Sequence, residues 1–214
     1  NEYYVISTEE VSSGSVTLTL DLEIQQAVES ALDGMNGAAV ILDSQTGDVL
    51  AMASSPKYDP NHVEPLISDD AYINKALSAY PPASLFKIFL SAIALENGIM
   101  QRESIGYCDG VYHLENGQEV HCWEEDGHGF MIFEEALSLS CNPVFINVGK
   151  KLGIDRIKDA FETWGLDEDT LIGYPLEHRS EIQTAGTTEG DIANLSLGES
   201  GVTMTPLNLA KMIN

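Results

Sequence analysis

The sequence predicts an α+β fold, and three features of its order predict it. Two apolar, strand-like runs come first, separated by a short polar turn. Runs with helical apolar spacing follow. The strands therefore precede the helices rather than alternating with them, which argues against a parallel βαβ sheet. With 214 residues, 43% hydrophobic and 21% charged, the chain lies in the globular range and can bury a sizeable core.

The elements can be justified in turn. Thr17 to Asp21 reads as a short strand, and Asp21 as the N-cap of a helix running to about Leu32, with Leu22, Ile24, Ala27, Val28, Ala31 and Leu32 at mostly helical spacing. Gly37 to Asp43 and Asp48 to Ser54, joined by Ser44-Gln45-Thr46-Gly47, form a hairpin signal. Lys57 to Asp70, with Pro56, Pro60 and Pro65 in or beside it, should be loop. Pro81 and Pro82 precede an apolar body from Leu85 to Asn97 and Gly98 follows it, the start and stop marks of a buried helix. Tyr107 to Gly129 is polar, glycine-rich and acidic, an irregular excursion. Phe133 to Leu139, Pro143 to Leu152, Ile154 to Trp164 and Thr205 to Ile213 then read as helices, and no internal repeat is present.

Charge narrows the function. Ten Lys and Arg against 34 Asp and Glu give a net charge of −24, which repels phosphate backbones and anionic lipid headgroups. No nucleic-acid partner is expected. The longest apolar stretch, Ile88 to Leu95, is interrupted by Ser91 and flanked by Lys87 and Glu96, too short to cross a bilayer. Asn1 to Leu20 lacks the basic start and apolar middle of a signal peptide, so any anchor is expected upstream.

Cys108, Cys122 and Cys141 are too few for a disulfide scaffold, although Cys108 and Cys122 would be free to pair in an oxidising compartment. Cys108, His121, Cys122 and His128 are candidate metal ligands. Their spacing fits no standard zinc pattern, and the adjacency of His121 and Cys122 makes joint ligation awkward. The expectation from sequence is no metal site and no cofactor.

Ser84 and Lys87 place a hydroxyl and an amine three residues apart at the start of the buried helix, on one face. A serine needs an adjacent base to become a nucleophile, and a lysine serves if burial or a nearby cation lowers its pKa. The helix start also aims backbone N–H groups beside Ser84. The spacing alone is weak evidence: 18 Ser and 7 Lys supply about 0.6 such pairs by chance. A second pair, Ser54 and Lys57, leaves a strand and carries Pro56 before the lysine, so no helix face aligns it. Ser140-Cys141-Asn142 lies between two helical segments. Ser140 could relay a proton and Asn142 could hold a substrate carbonyl or orient Lys87, while helix capping is the simpler reading of either taken alone.

Several stretches together carry a family resemblance. Tyr80-Pro81-Pro82-Ala83-Ser84-Leu85-Phe86-Lys87 resembles the nucleophile motif of class B penicillin-binding proteins, whose usual form is Pro-Gly-Ser-Thr-Phe-Lys. Leu18 to Gln25 is similar to the entry of that family's transpeptidase domain, and Gly37 to Asp43 on to Asp59-Pro60-Asn61 to its hairpin and following loop. Gly127-His128-Gly129, Glu135-Ala136-Leu137 and Ser140-Cys141-Asn142 resemble the stretch carrying its Ser-x-Asn motif, and Thr205 to Ala210 a helix downstream. These matches run in order from about Val16 to Asn214, which makes them far more specific together than singly.

The resemblance implies the penicillin-binding transpeptidase and serine β-lactamase-like fold, with residues 1–15 a linker or the tail of an upstream pedestal domain and 16–214 a partial transpeptidase domain. It implies that Ser84 attacks the penultimate D-Ala carbonyl of a stem peptide ending in D-Ala-D-Ala, that Lys87 takes its proton, that Ser140 shuttles a proton and that Asn142 holds the donor peptide or Lys87. β-Lactams would acylate Ser84. Cell-wall synthesis machinery would be the partner, at the extracytoplasmic face of the membrane, with an N-terminal anchor outside these residues. A non-turnover β-lactam receptor and an inactive fragment are the alternatives, and a β-lactamase is disfavoured because no Glu-x-x-Leu-Asn loop occurs. Three departures stand out. Ala83 and Leu85 replace the usual Gly and Thr beside the nucleophile. Glu199 stands where Gln is frequent. No lysine is followed by Ser/Thr-Gly, the motif that supplies the second oxyanion donor, so the site and its central sheet are expected to be completed beyond Asn214.

Overall fold

The computed structural model describes residues 15–59, 61, 69–168, 178–184 and 188–214. Helix α1 (Leu22–Ala31) starts where Asp21 caps it, the carboxylate accepting from the N–H groups of Glu23 (2.9 Å) and Ile24 (3.0 Å). The expected strand at Thr17–Asp21 does not form. Two hydrogen bonds, Thr19 Oγ1 to Val49 O and Asp21 N to Leu50 O, tie the segment to the hairpin without a ladder, and Leu18 and Leu20 stay exposed.

Strands β1 (Gly37–Leu42) and β2 (Val49–Ser55) pair antiparallel as expected. The Asp43 carboxylate accepts from the N–H groups of Gln45 and Thr46, and Gly47 takes φ 77°, so the turn is set by one side chain and one left-handed glycine. Helix α1 lies across β2, and the carboxy-terminal helix described below packs on β1. The loop expected from Lys57 to Asp70 falls largely outside the described residues, as does the proposed pedestal tail up to residue 14.

A 3-10 turn at Ala83–Leu85 leads into helix α2 (Phe86–Glu96), which Gly98 (φ 65°) ends. This helix is the axis of the core. Phe86, Phe89, Leu90, Ile93 and Ala94 are fully buried, and Phe89 meets Phe161 and Trp164 edge-on at centroid distances of 6.0 and 5.1 Å.

The stretch expected to be irregular holds two ribbons: β3 (Ile105–Cys108) pairs with β6 (Gly129–Ile132), and β4 (Val111–His113) with β5 (Glu119–His121). Strands of three or four residues are too short to show a period of two, which is why composition alone read this region as loop. Helices α3 (Phe133–Ser138), α4 (Asn142–Leu152) and α5 (Ile154–Thr163) follow within a residue or two of expectation, with Pro143 in the first turn of α4.

A two-residue strand β7 (Glu181–Ile182) pairs with β8 (Val202–Thr203) around helix α6 (Glu189–Leu197), and α7 (Pro206–Ile213) closes the order. Helix α6 was not foreseen. Its signal is present as a capping box between Thr188 and Asp191 and a left-handed Gly198 after its last turn. The four sheets are all two-stranded among the described residues, so the core is built mainly by helices α2, α4, α5 and α6. No described helix is long and apolar enough to cross a membrane.

Candidate active site

Ser84 sits on the 3-10 turn that opens α2, and Lys87 lies one turn into the same helical rod. Their surroundings differ sharply. Ser84 is exposed, whereas Lys87 is 1% exposed among core aromatics, its Nζ 5.6 Å from the centroid of Phe145. Burial lowers the Lys87 pKa, because a desolvated ammonium loses its hydration. Cys122, Cys141 and Glu199 act against that shift through their charge.

The amine makes three hydrogen bonds, to Ser140 O (2.9 Å), Ser140 Oγ (3.1 Å) and Asn142 Oδ1 (2.7 Å). Ser140 Oγ in turn donates to Ser84 Oγ at 3.0 Å. The connection between Lys87 and Ser84 thus runs through Ser140, where sequence spacing suggested direct contact between the two. A neutral Lys87 in this chain of groups can take a proton from Ser140 while Ser140 takes one from Ser84, leaving Ser84 an alkoxide and Lys87 an ammonium. On the turn, the Ala83 N–H donates to Gly198 O at 2.9 Å and the Leu85 N–H to Pro82 O at 3.3 Å, so the Ser84 N–H is the opening donor that an oxyanion could use.

Two backbone positions hold this arrangement. Ala83 and Ser140 have φ of 50° and 51°, the only non-glycine residues with positive φ among those described. Such strain persists where the surroundings fix it. At Ser140 the fixing groups are Lys87 on its carbonyl, Trp123 Nε1 donating to Leu139 O at 2.8 Å, and Cys141 N donating to Ala136 O at 3.0 Å. Asn142 Nδ2 donates to His121 O at 3.0 Å, so its amide is held at both ends. Neither Ser140 nor Asn142 caps a helix with its side chain, which removes the simpler reading of this triplet. Trp123 and the His121 carbonyl are parts of the site that spacing could not reveal, since they come from the ribbon read as loop.

The left-handed backbone at Ala83 explains why glycine is usual there. Ala83→Gly is expected to stabilise the protein by about 0.5–1 kcal/mol, relief of about 1–2 kcal/mol of left-handed strain outweighing the added chain entropy of glycine. Thermal unfolding checks this, with acylation by penicillin unchanged. The pair Ser54 and Lys57 is separated as expected: Ser54 Oγ donates to Ile73 O, and Lys57 pairs with Glu29 at 3.3 Å.

Beside the site, the side chains of Cys108, Cys122, His128 and Cys141 bring their ligand atoms within 4.8 Å of one another, and the three cysteines are free thiols. The sequence candidate His121 points elsewhere, toward Glu119. Cys141 takes the fourth place. Burial acts against ionisation of Cys108, yet hydrogen bonds from the backbone of His128 and Gly110 outweigh it and hold its pKa low, while burial and the neighbouring Cys108 raise that of Cys141. This donor set suits a thiophilic divalent cation in tetrahedral coordination.

Residues 37–214 match the family model described as the penicillin binding protein transpeptidase domain. The chain belongs to that family. Among curated relatives, the peptidoglycan D,D-transpeptidase MrdA of Haemophilus influenzae is 29% identical over 94% of this chain and 34% of its own length. Pseudomonas aeruginosa PBP2, solved in complex with WCK 5153, superposes with a TM-score of 0.83 at 29% identity, covering 91% of this chain and 49% of that one. Penicillin-binding protein A of M. tuberculosis, solved as its penicillin G acyl-enzyme, gives 0.80 at 26% identity, covering 91% and 50%. The transpeptidase-domain chain described here therefore spans about a third of the length of that curated relative and about half of the solved ones.

Proposed function

We propose that the intact protein is a peptidoglycan D,D-transpeptidase in which Ser84 is acylated by stem peptides ending in D-Ala-D-Ala. The observation that carries this reading is the Lys87–Ser140–Ser84 chain of hydrogen bonds, with a buried amine at one end and an exposed hydroxyl at the other. The relay makes Ser84 nucleophilic, and the bond to the terminal D-Ala breaks as the serine ester forms. The relay proton leaves with the D-Ala amine through Ser140. An amine from a neighbouring stem peptide then attacks the ester, restoring Ser84 and forming the crosslink. Asn142 binds the donor peptide or holds Lys87. β-Lactams take the place of the donor and leave Ser84 acylated.

Support for this reading comes from family membership and from relatives whose names carry the same activity. Residues 16–214 are then a partial transpeptidase domain, residues 1–15 a linker or pedestal tail, and a Lys-Ser/Thr-Gly strand in the intact protein completes the oxyanion site. The place of action is the extracytoplasmic face of the membrane, beside cell-wall synthesis machinery. Crosslinked product from donor and acceptor stem peptides, formed by the full-length protein and lost in Ser84→Ala, tests the proposal. Stable acylation by penicillin without crosslinking would favour a β-lactam receptor instead.

Glu199 gives this reading a pH signature. Its charge helps hold the Lys87 pKa up. In Glu199→Gln the amine loses its proton more readily, so the rise of acylation rate with pH is expected to move to lower pH. Rates of penicillin acylation across a pH series check the direction.

A further inference from the structure

Two helices meet at their ends beside the nucleophile, and the ends have opposite polarity. The Ser84 turn opens α2, and the start of a helix carries partial positive charge on its N–H groups. Gly198 closes α6, and the end of a helix carries partial negative charge on its carbonyls. The two ends are locked together. The Ala83 N–H donates to Gly198 O at 2.9 Å, and a Cβ on Gly198 would lie 2.2 Å from Ala83 O. On one side the residue after this lock is Ser84, and on the other it is Glu199.

The backbone of Glu199 is held firmly. Its N–H donates to Asn194 O at 3.2 Å and the Gly198 N–H to Leu195 O at 2.9 Å, so it belongs to the wrapped end of α6 rather than to a free loop. The side chain is exposed, and among the described residues its carboxylate has no hydrogen bond or ion pair. Lys87 is near enough to feel its charge. That amine is 1% exposed, however, and its three hydrogen bonds go to Ser140 and Asn142. Glu199 is therefore an open carboxylate at the negative end of a helix, one residue from the lock on the nucleophile turn. Such a place attracts a cation.

The two substrates of the proposed reaction differ in charge there. The donor ends in a carboxylate, which Glu199 repels. The acceptor brings an amine, and an alkyl amine with an ordinary pKa of ~10.4 arrives as an ammonium. We propose that Glu199 is a specificity-determining residue for the acceptor, its carboxylate pairing with the incoming ammonium and holding it beside the ester on Ser84. This inference rests on the functional reading above. Three protons arrive on the ammonium. One leaves to solvent past the exposed carboxylate, which frees the nitrogen lone pair. The nitrogen then bonds to the ester carbonyl carbon as the bond from that carbon to Ser84 Oγ breaks. A second proton passes through Ser140 to Ser84 Oγ and restores the hydroxyl, and the third stays on the amide nitrogen. Water, the competing nucleophile, is uncharged and gains nothing from Glu199. The carboxylate thus biases the acyl-enzyme toward crosslinking over hydrolysis.

The test follows one acyl-enzyme with two nucleophiles. Full-length protein is acylated by a stem-peptide thioester ending in D-alanine, and the amide and acid products are separated by chromatography. One acceptor is a stem peptide with a free side-chain amine, cationic at neutral pH; the other is methoxyamine, a nitrogen nucleophile that is neutral there. Both products come from the same acyl-enzyme, so their ratio does not depend on how fast Ser84 is acylated. In Glu199→Gln the ratio of amide to acid is expected to fall about 3–5-fold with the cationic acceptor, the effect of losing one exposed ion pair, and to stay unchanged with methoxyamine. Glu199→Asp should keep part of the preference and Glu199→Lys lower it further. Added salt should weaken the preference in the wild type and leave Glu199→Gln unaffected. A merely structural role would move both acceptors together. An unchanged ratio with the cationic acceptor in Glu199→Gln, an equal fall with both acceptors, or acid as the sole product of the wild type would overturn the inference. If the wild type forms no acyl-enzyme from the thioester, the functional reading fails and this inference falls with it. A partition that ignores Glu199 in a protein that acylates normally counts against the inference alone.

Discussion

Lys87→Met is expected to slow acylation of Ser84 by about 10²–10⁴-fold, the usual contribution of a positioned general base. Methionine has nearly the volume of the lysine stem and accepts an apolar site beside Phe145, so the core stays filled. What disappears is the one group able to receive the relay proton. Ser140 O, Ser140 Oγ and Asn142 Oδ1 all lose their donor, which costs some stability against the gain from removing a desolvated amine. The melting temperature should therefore move far less than the rate. The pH behaviour separates this from a general loss of structure. In the wild type, acylation is expected to rise as pH climbs through the Lys87 pKa, which burial has lowered from its ordinary ~10.4. In the variant that rise is absent. Stability carries the same signature. Between the lowered folded pKa and the ordinary unfolded one, the unfolded chain binds more protons, so wild-type stability increases with pH across that window. The contribution is complete above the unfolded pKa and is lost as pH falls through the folded one. Lys87→Met removes the slope.

Gly198→Ala is expected to damage both stability and acylation. Gly198 has φ 68°, where a side chain costs about 1–2 kcal/mol. The larger effect is steric. A Cβ there would lie 2.2 Å from Ala83 O and 2.9 Å from Ala83 N, backbone atoms of the turn that carries Ser84. The Gly198 carbonyl also accepts the Ala83 N–H at 2.9 Å, so the two turns are locked together. The clash meets no flexible side-chain tip that could swing away; either the α6 end or the nucleophile turn must shift. A displacement of about an ångström at Ser84 costs about 10²-fold in acylation. Combined with a melting temperature lowered by several degrees, that pairing distinguishes this position from a purely structural glycine.

Much of this was legible in the sequence where one residue type has one physical use. Asp21 before an apolar helical run could only cap it, the prolines and Gly98 bracketed α2, and Ser84 and Lys87 fell on one face of that helix. The helical boundaries came out close for the same reason. Other features depend on distant pairings. Thr17–Asp21 has the composition of a strand but finds only Val49 and Leu50 to bond, so it stays extended without a ladder. The ribbons of β3 to β6 are too short to show a period, and with them went the roles of Trp123 and the His121 carbonyl. Of the four clustered side chains, Cys108, Cys122 and His128 stood among the sequence candidates; Cys141 escaped because β6 and α3 separate it from His128, and His121 was included although it turns toward Glu119. The unusual Ala83 was noticed as a departure, yet its meaning needed the φ of 50°.

The central claim is that Ser84, activated by buried Lys87 through Ser140, is the residue that carries the acyl group. Reacting the full-length protein with penicillin, digesting it and locating the adduct by peptide mass spectrometry tests this most directly. The account predicts one penicilloyl group per chain, on the peptide containing Ser84, with none in Ser84→Ala. An adduct on another serine, or on Lys87 itself, would contradict it.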